Sequence, residues 1–214
     1  MEKEVEEKLV QLKVEQKKLA KQLSLKNAFD FSLAEIIAGC YNAFLPGKII
    51  SAIVICKNFD VIEQQYVVKK LAFPYIAGFR AYRELPAMIE CYQKLEEQPD
   101  FLFVNGHGIA HPRMLGLASH FSLAINRPTI GIAKNLLVGK VKKGKIYLRN
   151  KIVGVELLTK EGSKPIYVSP GNMITLKTAL ELTRKFIRAP HKLPEPLVQA
   201  KKLVNSIIKE LQKD

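Results

Sequence analysis

The sequence predicts an α/β fold built on one mixed sheet: three antiparallel strands, then alternating helix and strand, with helices on the flanks. Three observations carry that expectation. Residues 35–70 hold three strand-like runs separated by short turns, "EIIAGCYNAF", "IISAIVICKN" and "DVIEQQYVVKK", the pattern of an antiparallel meander. "FLFV" and "PTIGIA" further along are short and continuously apolar, as suits strands covered on both faces. The segments around them repeat apolar residues with helical spacing. With 214 residues, 48% hydrophobic and 25% charged, the chain suits a single domain, 1–214, with a substantial core.

Taken in order, Val5, Leu9, Leu12, Leu19 and Leu23 form one stripe, so residues 3–23 are expected as an amphipathic helix. Within 1–25 this helix should pack on the domain, and its stripe is also a candidate surface for a protein partner. The meander follows, its first turn at "LPGK". "GFRAYRELPAMIECYQKL" reads as a helix with Pro86 near its start or at a kink. "PDFLFV" is the central strand, "MLGLASHFSLAIN" a helix and "PTIGIAK" another strand. A basic hairpin spans "GKVKKGKIYL" and "KIVGVELLTKEGSKPIYVSP", and "TLKTALELTRKFI" and "EPLVQAKKLVNSIIKEL" close the chain as helices. This order of elements is of the ribonuclease H-like type.

Charge narrows the function. Lys and Arg number 34 against 20 Asp and Glu, a net +14, which points to a polyanionic partner, nucleic acid ahead of anionic membrane. The run Lys140, Lys142, Lys143, Lys145, Arg149 and Lys151 is either a solvated hairpin face or a phosphate-contacting surface, and the second reading is favoured. Cys40, Cys56 and Cys91 form no CxxC pair, and their odd count argues against a disulfide framework. The start of the chain reads as a charged helix rather than a signal peptide, and no apolar run reaches the length of a membrane span. A cytoplasmic protein with no membrane partner is expected.

The stretch "FLFVNGHGIAHPR" raises the question of chemistry. A buried strand runs into a loop where Gly106 and Gly108 let the backbone turn and approach a ligand closely. An acid at the head of such a loop would hold a metal; Asn105 stands there instead. Other chemistries are weak. "LPGKII" lacks the spacing of a P-loop, and the adjacent Ser119 and His120 would point apart on a helix.

"FPYIAGFRAYRELP", "GHGIAHPRMLGLASH", "PTIGIAKNLLVG", "KEGSKPIYVSPG" and "LPEP" resemble, in order and spacing, successive signature segments of the endonuclease V family, over nearly the whole chain. The resemblance implies a ribonuclease H-like fold and Mg²⁺-dependent cleavage near deaminated adenine, as deoxyinosine in DNA or inosine in RNA. It also implies roles for particular residues. Glu84 keeps the family's glutamate, and Lys134 its lysine beside the phosphate. Tyr41 and Asn105 replace aspartates, Asn172 replaces a histidine, and Thr175 replaces a nearby acid. Tyr75 matches a wedge entering beside the lesion, and Gly106, Gly108 and Gly116 match the wall of a pocket for the flipped base. His111 either supports that loop or, standing before a proline, is only a satisfied structural residue. Arg80 and Ala77 stand where an apolar residue and a proline are usual.

Charge decides how these replacements weigh. Hard carboxylate ligands are what hold two metals over a phosphate. One charge pair is worth about 4 kcal/mol at roughly 4 Å and an effective dielectric of about 20, so losing two carboxylates removes several kcal/mol of metal binding. Asp100 stands five residues before Asn105, roughly 16 Å along an extended strand, and Asp30, Asp60 and Asp214 fall on no motif. The expectation is therefore an endonuclease V-like nucleic-acid-binding protein with no metal and with lost or strongly reduced phosphodiesterase activity, still able to recognise inosine. The alternatives are an active endonuclease using Mg²⁺ or Mn²⁺ in a rearranged site, and a non-catalytic protein-interaction scaffold. Lys142 and Lys143 are expected to contact the nucleic acid.

Overall fold

Two tight turns fold residues 36–70 into a meander in this computed structural model, which describes residues 2–213, with side chains from residue 6. Strand β1 (Ile36–Leu45) meets β2 (Lys48–Lys57) antiparallel, with Leu45 opposite Lys48. Between them Pro46 presets one turn position and Gly47 takes φ 70° at the next, the combination of a type II turn. Asn58 and Phe59, at φ 49° and 74°, make the turn into β3 (Asp60–Lys70), a primed turn whose twist suits a hairpin.

Helix α2 (Arg80–Gln93) carries the chain to β4 (Phe101–Asn105), which lies parallel to β1. Helix α3 (Leu117–Ile125) then leads to β5 (Thr129–Ala133), parallel to β4. Strands β6 (Lys140–Lys142), β7 (Lys145–Leu148), β8 (Lys151–Leu157) and β9 (Ile166–Asn172) add an antiparallel half, giving one mixed sheet in the order β3-β2-β1-β4-β5-β9-β8-β7-β6. Helices α4 (Leu176–Lys185) and α5 (Glu195–Leu211) follow, and α1 (Glu2–Ala20) precedes the sheet.

Strand alternation divides the core between two faces. Along β4, Phe101 and Phe103 pack with Leu182 of α4 and Leu197 of α5, whereas Leu102 and Val104 pack with Met88 of α2 and Phe121 of α3. Gly39 of β1 permits the close approach of α5. A Cβ there would sit 2.2 Å from the Pro196 backbone.

Two expectations need adjustment. Helix α1 stops at Ala20, and its one buried side chain among those described is Gln16; Leu9, Leu12, Leu19 and Leu23 are only half-buried. The Val5 side chain and Asp214 lie outside the described residues. Pro86 sits within α2 rather than near its start, so the helix forgoes one main-chain hydrogen bond there. No helix among the described residues is long and apolar enough to cross a membrane.

Candidate functional site

The carboxyl ends of β4 and β5 point toward a cavity of about 320 Å³, closed by α1, α2 and the loop after β4. Tyr75, Arg80, Asn105, His111, Gly116 and Lys134 all line it. Tyr75 stands at its mouth in the loop before α2, 71% exposed.

Behind Arg80 lies the single carboxylate of the constellation. Glu84 is only 1% exposed, and both its oxygens are engaged. Arg80, one helical turn earlier, donates from Nε to Oε1 and from Nη2 to Oε2 (3.0 Å), while Asn42 Nδ2 donates to Oε2 at 2.7 Å. The same Nη2 also reaches the main-chain oxygen of Asn105 at 3.1 Å. Arg80 is thus held by β4 and α2 together.

Tyr41 belongs to the opposite face. Its ring packs with Leu203 and Val204 of α5, and its hydroxyl accepts a hydrogen bond from Lys134 Nζ at 3.0 Å. Neighbours on a strand point to opposite faces, so it is Asn42, the next residue, that reaches Glu84. No sequence motif marks Asn42; strand alternation from Tyr41 is the signal that points to it. Arg80 stands where the resemblance implies an apolar residue; its spacing of four from Glu84 is the sequence signal for an ion pair.

The glycine loop is fastened from several sides. The Gly78 carbonyl accepts from Gln16 Nε2 (3.1 Å), His111 Nε2 (3.1 Å) and Arg113 Nη2. His111 Nδ1 accepts from the Arg113 amide at 3.3 Å, so its proton resides on Nε2. His107 Nε2 donates to the Asn135 carbonyl at 3.0 Å. Burial pushes both histidines down to about 4, and they stand neutral at neutral pH. The cavity's cations are therefore Arg80 and Lys134.

Several expected site residues lie elsewhere. Asn172 sits opposite Thr129, at the start of β5, three residues from the Ile132 that pairs with Asn105 and so roughly 10 Å away along the strand. Its Oδ1 accepts from the Ser24 amide at 2.8 Å, holding the chain that follows α1. Thr175 caps α4, accepting from the Thr178 amide at 3.1 Å. Asp100 Oδ2 caps the amides of Glu35 and Ile36, each at 2.9 Å, at the far end of β4. Gly106 and Gly108 do not line the cavity. A Cβ on Gly108 would meet the Pro170 carbonyl at 2.0 Å, so this glycine lets the loop lie against β9. Lys142 and Lys143 are exposed on the β6–β7 hairpin, and Lys143 makes its turn at φ 48°.

The residues present do not fit a divalent metal. Among the described residues the site offers one carboxylate, whose oxygens are taken by a guanidinium and an amide. Asn105 and Tyr41 are neutral ligands, and the Lys134 ammonium beside Tyr41 would repel a cation. Asn42 Oδ1, buried without a hydrogen-bond partner, adds only another neutral oxygen.

Comparison with known proteins matches residues 17–202 to the family model described as Endonuclease V. The Endonuclease V of Thermosipho melanesiensis is 37% identical over 219 residues, covering 98% of this chain and 94% of that protein. Among solved structures, the Endonuclease V of Bacillus subtilis superposes with a TM-score of 0.86 at 28% identity, covering 97% of this chain and 94% of that one. Ciona intestinalis Endonuclease V, solved with a 24mer DNA containing an inosine followed by a ribo-adenosine, has a TM-score of 0.87 at 22% identity, covering 96% and 99%.

Proposed function

Because the chain belongs to the endonuclease V family, we propose that it binds nucleic acid as that family does, with its phosphodiesterase activity lost or strongly reduced. The observation that carries this reading is the state of Glu84. The one retained acid is neutralised by Arg80 and Asn42 instead of facing the cavity with free oxygens. The proposal includes no bound Mg²⁺ or Mn²⁺. It includes a ribonuclease H-like origin for the sheet, which the run of three antiparallel strands followed by parallel β4 and β5 supports.

Tyr75 and the Gly116 wall remain on the cavity, which supports retained recognition of inosine or other deaminated bases. The Ciona relative was solved with inosine-containing DNA; at its low identity that likeness shows the fold alone, and family membership supports nucleic acid as the ligand class. Three free, buried cysteines suit the proposed cytoplasmic setting.

Two other readings keep specific support. Retained Glu84 and Lys134 favour an active, metal-dependent enzyme; exposed Val10 and Val14 on α1 favour a protein-binding scaffold. Nicking of a deoxyinosine duplex with Mg²⁺ or Mn²⁺ tests the first of these, and binding of inosine-containing strands tests the second. Binding without nicking is the outcome expected here. Nicking would overturn the loss of activity, and absence of binding would leave the scaffold.

A further inference from the structure

We infer that Arg80 has taken the place of a metal cation, and that with Lys134 it forms a metal-free subsite for one backbone phosphodiester, an inference that rests on the nucleic-acid reading above. Arg80 spends Nε and Nη2 on Glu84 and the Asn105 carbonyl, while Nη1 has no partner among the described residues. The side chain is 36% exposed and lines the cavity. The guanidinium therefore bridges inward to a carboxylate and offers donors outward, as a metal ion does between a protein carboxylate and a phosphate oxygen. Lys134, on the same cavity, spends one N–H on Tyr41 and has two left.

The charge balance selects the ligand. Arg80 and Glu84 cancel, His107 and His111 are neutral, and Lys134 leaves the cavity with one positive charge. A singly charged phosphodiester closes that balance. A purely structural pair would not need its cation on the first residue of α2, where the helix dipole disfavours positive charge. An oxyanion held there would meet both the guanidinium and the favourable end of the helix.

The test uses the intact protein in EDTA. The probes are a dithymidine phosphodiester, its uncharged methylphosphonate analogue, and inorganic phosphate. The side-chain Nε–H resonance of Arg80 should shift saturably with the phosphodiester and stay in place with the methylphosphonate. No shift with the phosphodiester, or a shift with inorganic phosphate alone, would overturn the subsite. As a second arm, Arg80→Leu with Glu84→Gln keeps net charge constant and leaves no lone buried carboxylate. This pair should weaken binding of a longer strand roughly tenfold, the worth of one hydrogen bond to a charged group. Unchanged affinity would sink the inference while leaving nucleic-acid binding intact. Wild-type protein that ignores long strands would instead sink the functional reading, with the dinucleotide arm still deciding the subsite.

Discussion

Lys134 holds the hydroxyl of Tyr41 at 3.0 Å, with its ammonium 5.4 Å from the centre of that ring. The lysine that the family resemblance implies is thus tied to the tyrosine that stands in place of the implied acid. This relationship, with the ion pair of Arg80 and Glu84, defines what would be needed to restore metal binding. Wild-type protein is predicted to hold no Mn²⁺ at Glu84 at millimolar concentration. Tyr41→Asp and Asn105→Asp, each the residue after the paired Cys40 and Val104 of β1 and β4, combined with Arg80→Leu, should bind Mn²⁺ measurably by electron paramagnetic resonance. Adding Asn172→His should contribute nothing, because that residue lies at the other end of β5. A gain from that fourth change would contradict the placement.

Affinity for nucleic acid should fall linearly with the logarithm of salt. Each phosphate contact contributes about 0.9 to the slope on duplex DNA. Lys142→Glu with Lys143→Glu, on an exposed hairpin, should flatten the slope by about two if each meets a phosphate. Fluorescence anisotropy between low and physiological salt is the measurement, and affinity indifferent to salt would refute electrostatic binding.

Inosine should be preferred over adenosine in matched strands by about fivefold, about 1 kcal/mol. A weak pair is cheaper to open, and Tyr75 stands exposed at the cavity mouth. Tyr75→Ala should erase the preference and leave salt-sensitive binding nearly unchanged. Competition between strands differing at one base decides it; equal affinities for wild type would mean that selection has been lost.

Acid should destabilise the fold before carboxylates begin to titrate. Burial lowers His107, His111 and His120 from 6.5 to about 4. Below the unfolded value the denatured chain binds protons that the native state refuses, so stability declines as pH falls from about 6.5 toward 4. Each histidine contributes at most about 1.4 kcal/mol per pH unit in that window. Denaturant melts at several pH values check this, and His120→Gln, outside the cavity, should make the dependence shallower.

Much of the fold was legible because strands and helices advertise their periods. The two-residue turns at Pro46–Gly47 and the continuous apolar run of β4 are local signals. Registers are not local. That Asn172 falls beside Thr129 instead of near Asn105 depends on how β9 pairs with β5, and neither strand states this alone. The resemblance implies a pocket wall at Gly108, and glycine permits close approach; the approaching backbone is that of Pro170. In the site, the spacing of Arg80 and Glu84 was visible, but burial of the carboxylate turned an ordinary helix pair into the centre of the arrangement. Asn42 carries no motif of its own; only the alternation of β1 turns it, and not Tyr41, toward Glu84.

The Gly78 carbonyl, which gathers Gln16, His111 and Arg113, gives three distant pieces of chain a shared point of failure. Helix α1, the Tyr75 loop and the glycine loop cannot loosen independently without stranding donors that a single oxygen now satisfies. They should open as one cooperative unit, with hydrogen exchange rising together in all three and cleavage within residues 71–79 gated by the opening of α1. The first helix acts as a latch on the loop that would enter nucleic acid, and its grip is a handful of hydrogen bonds instead of a greasy seam.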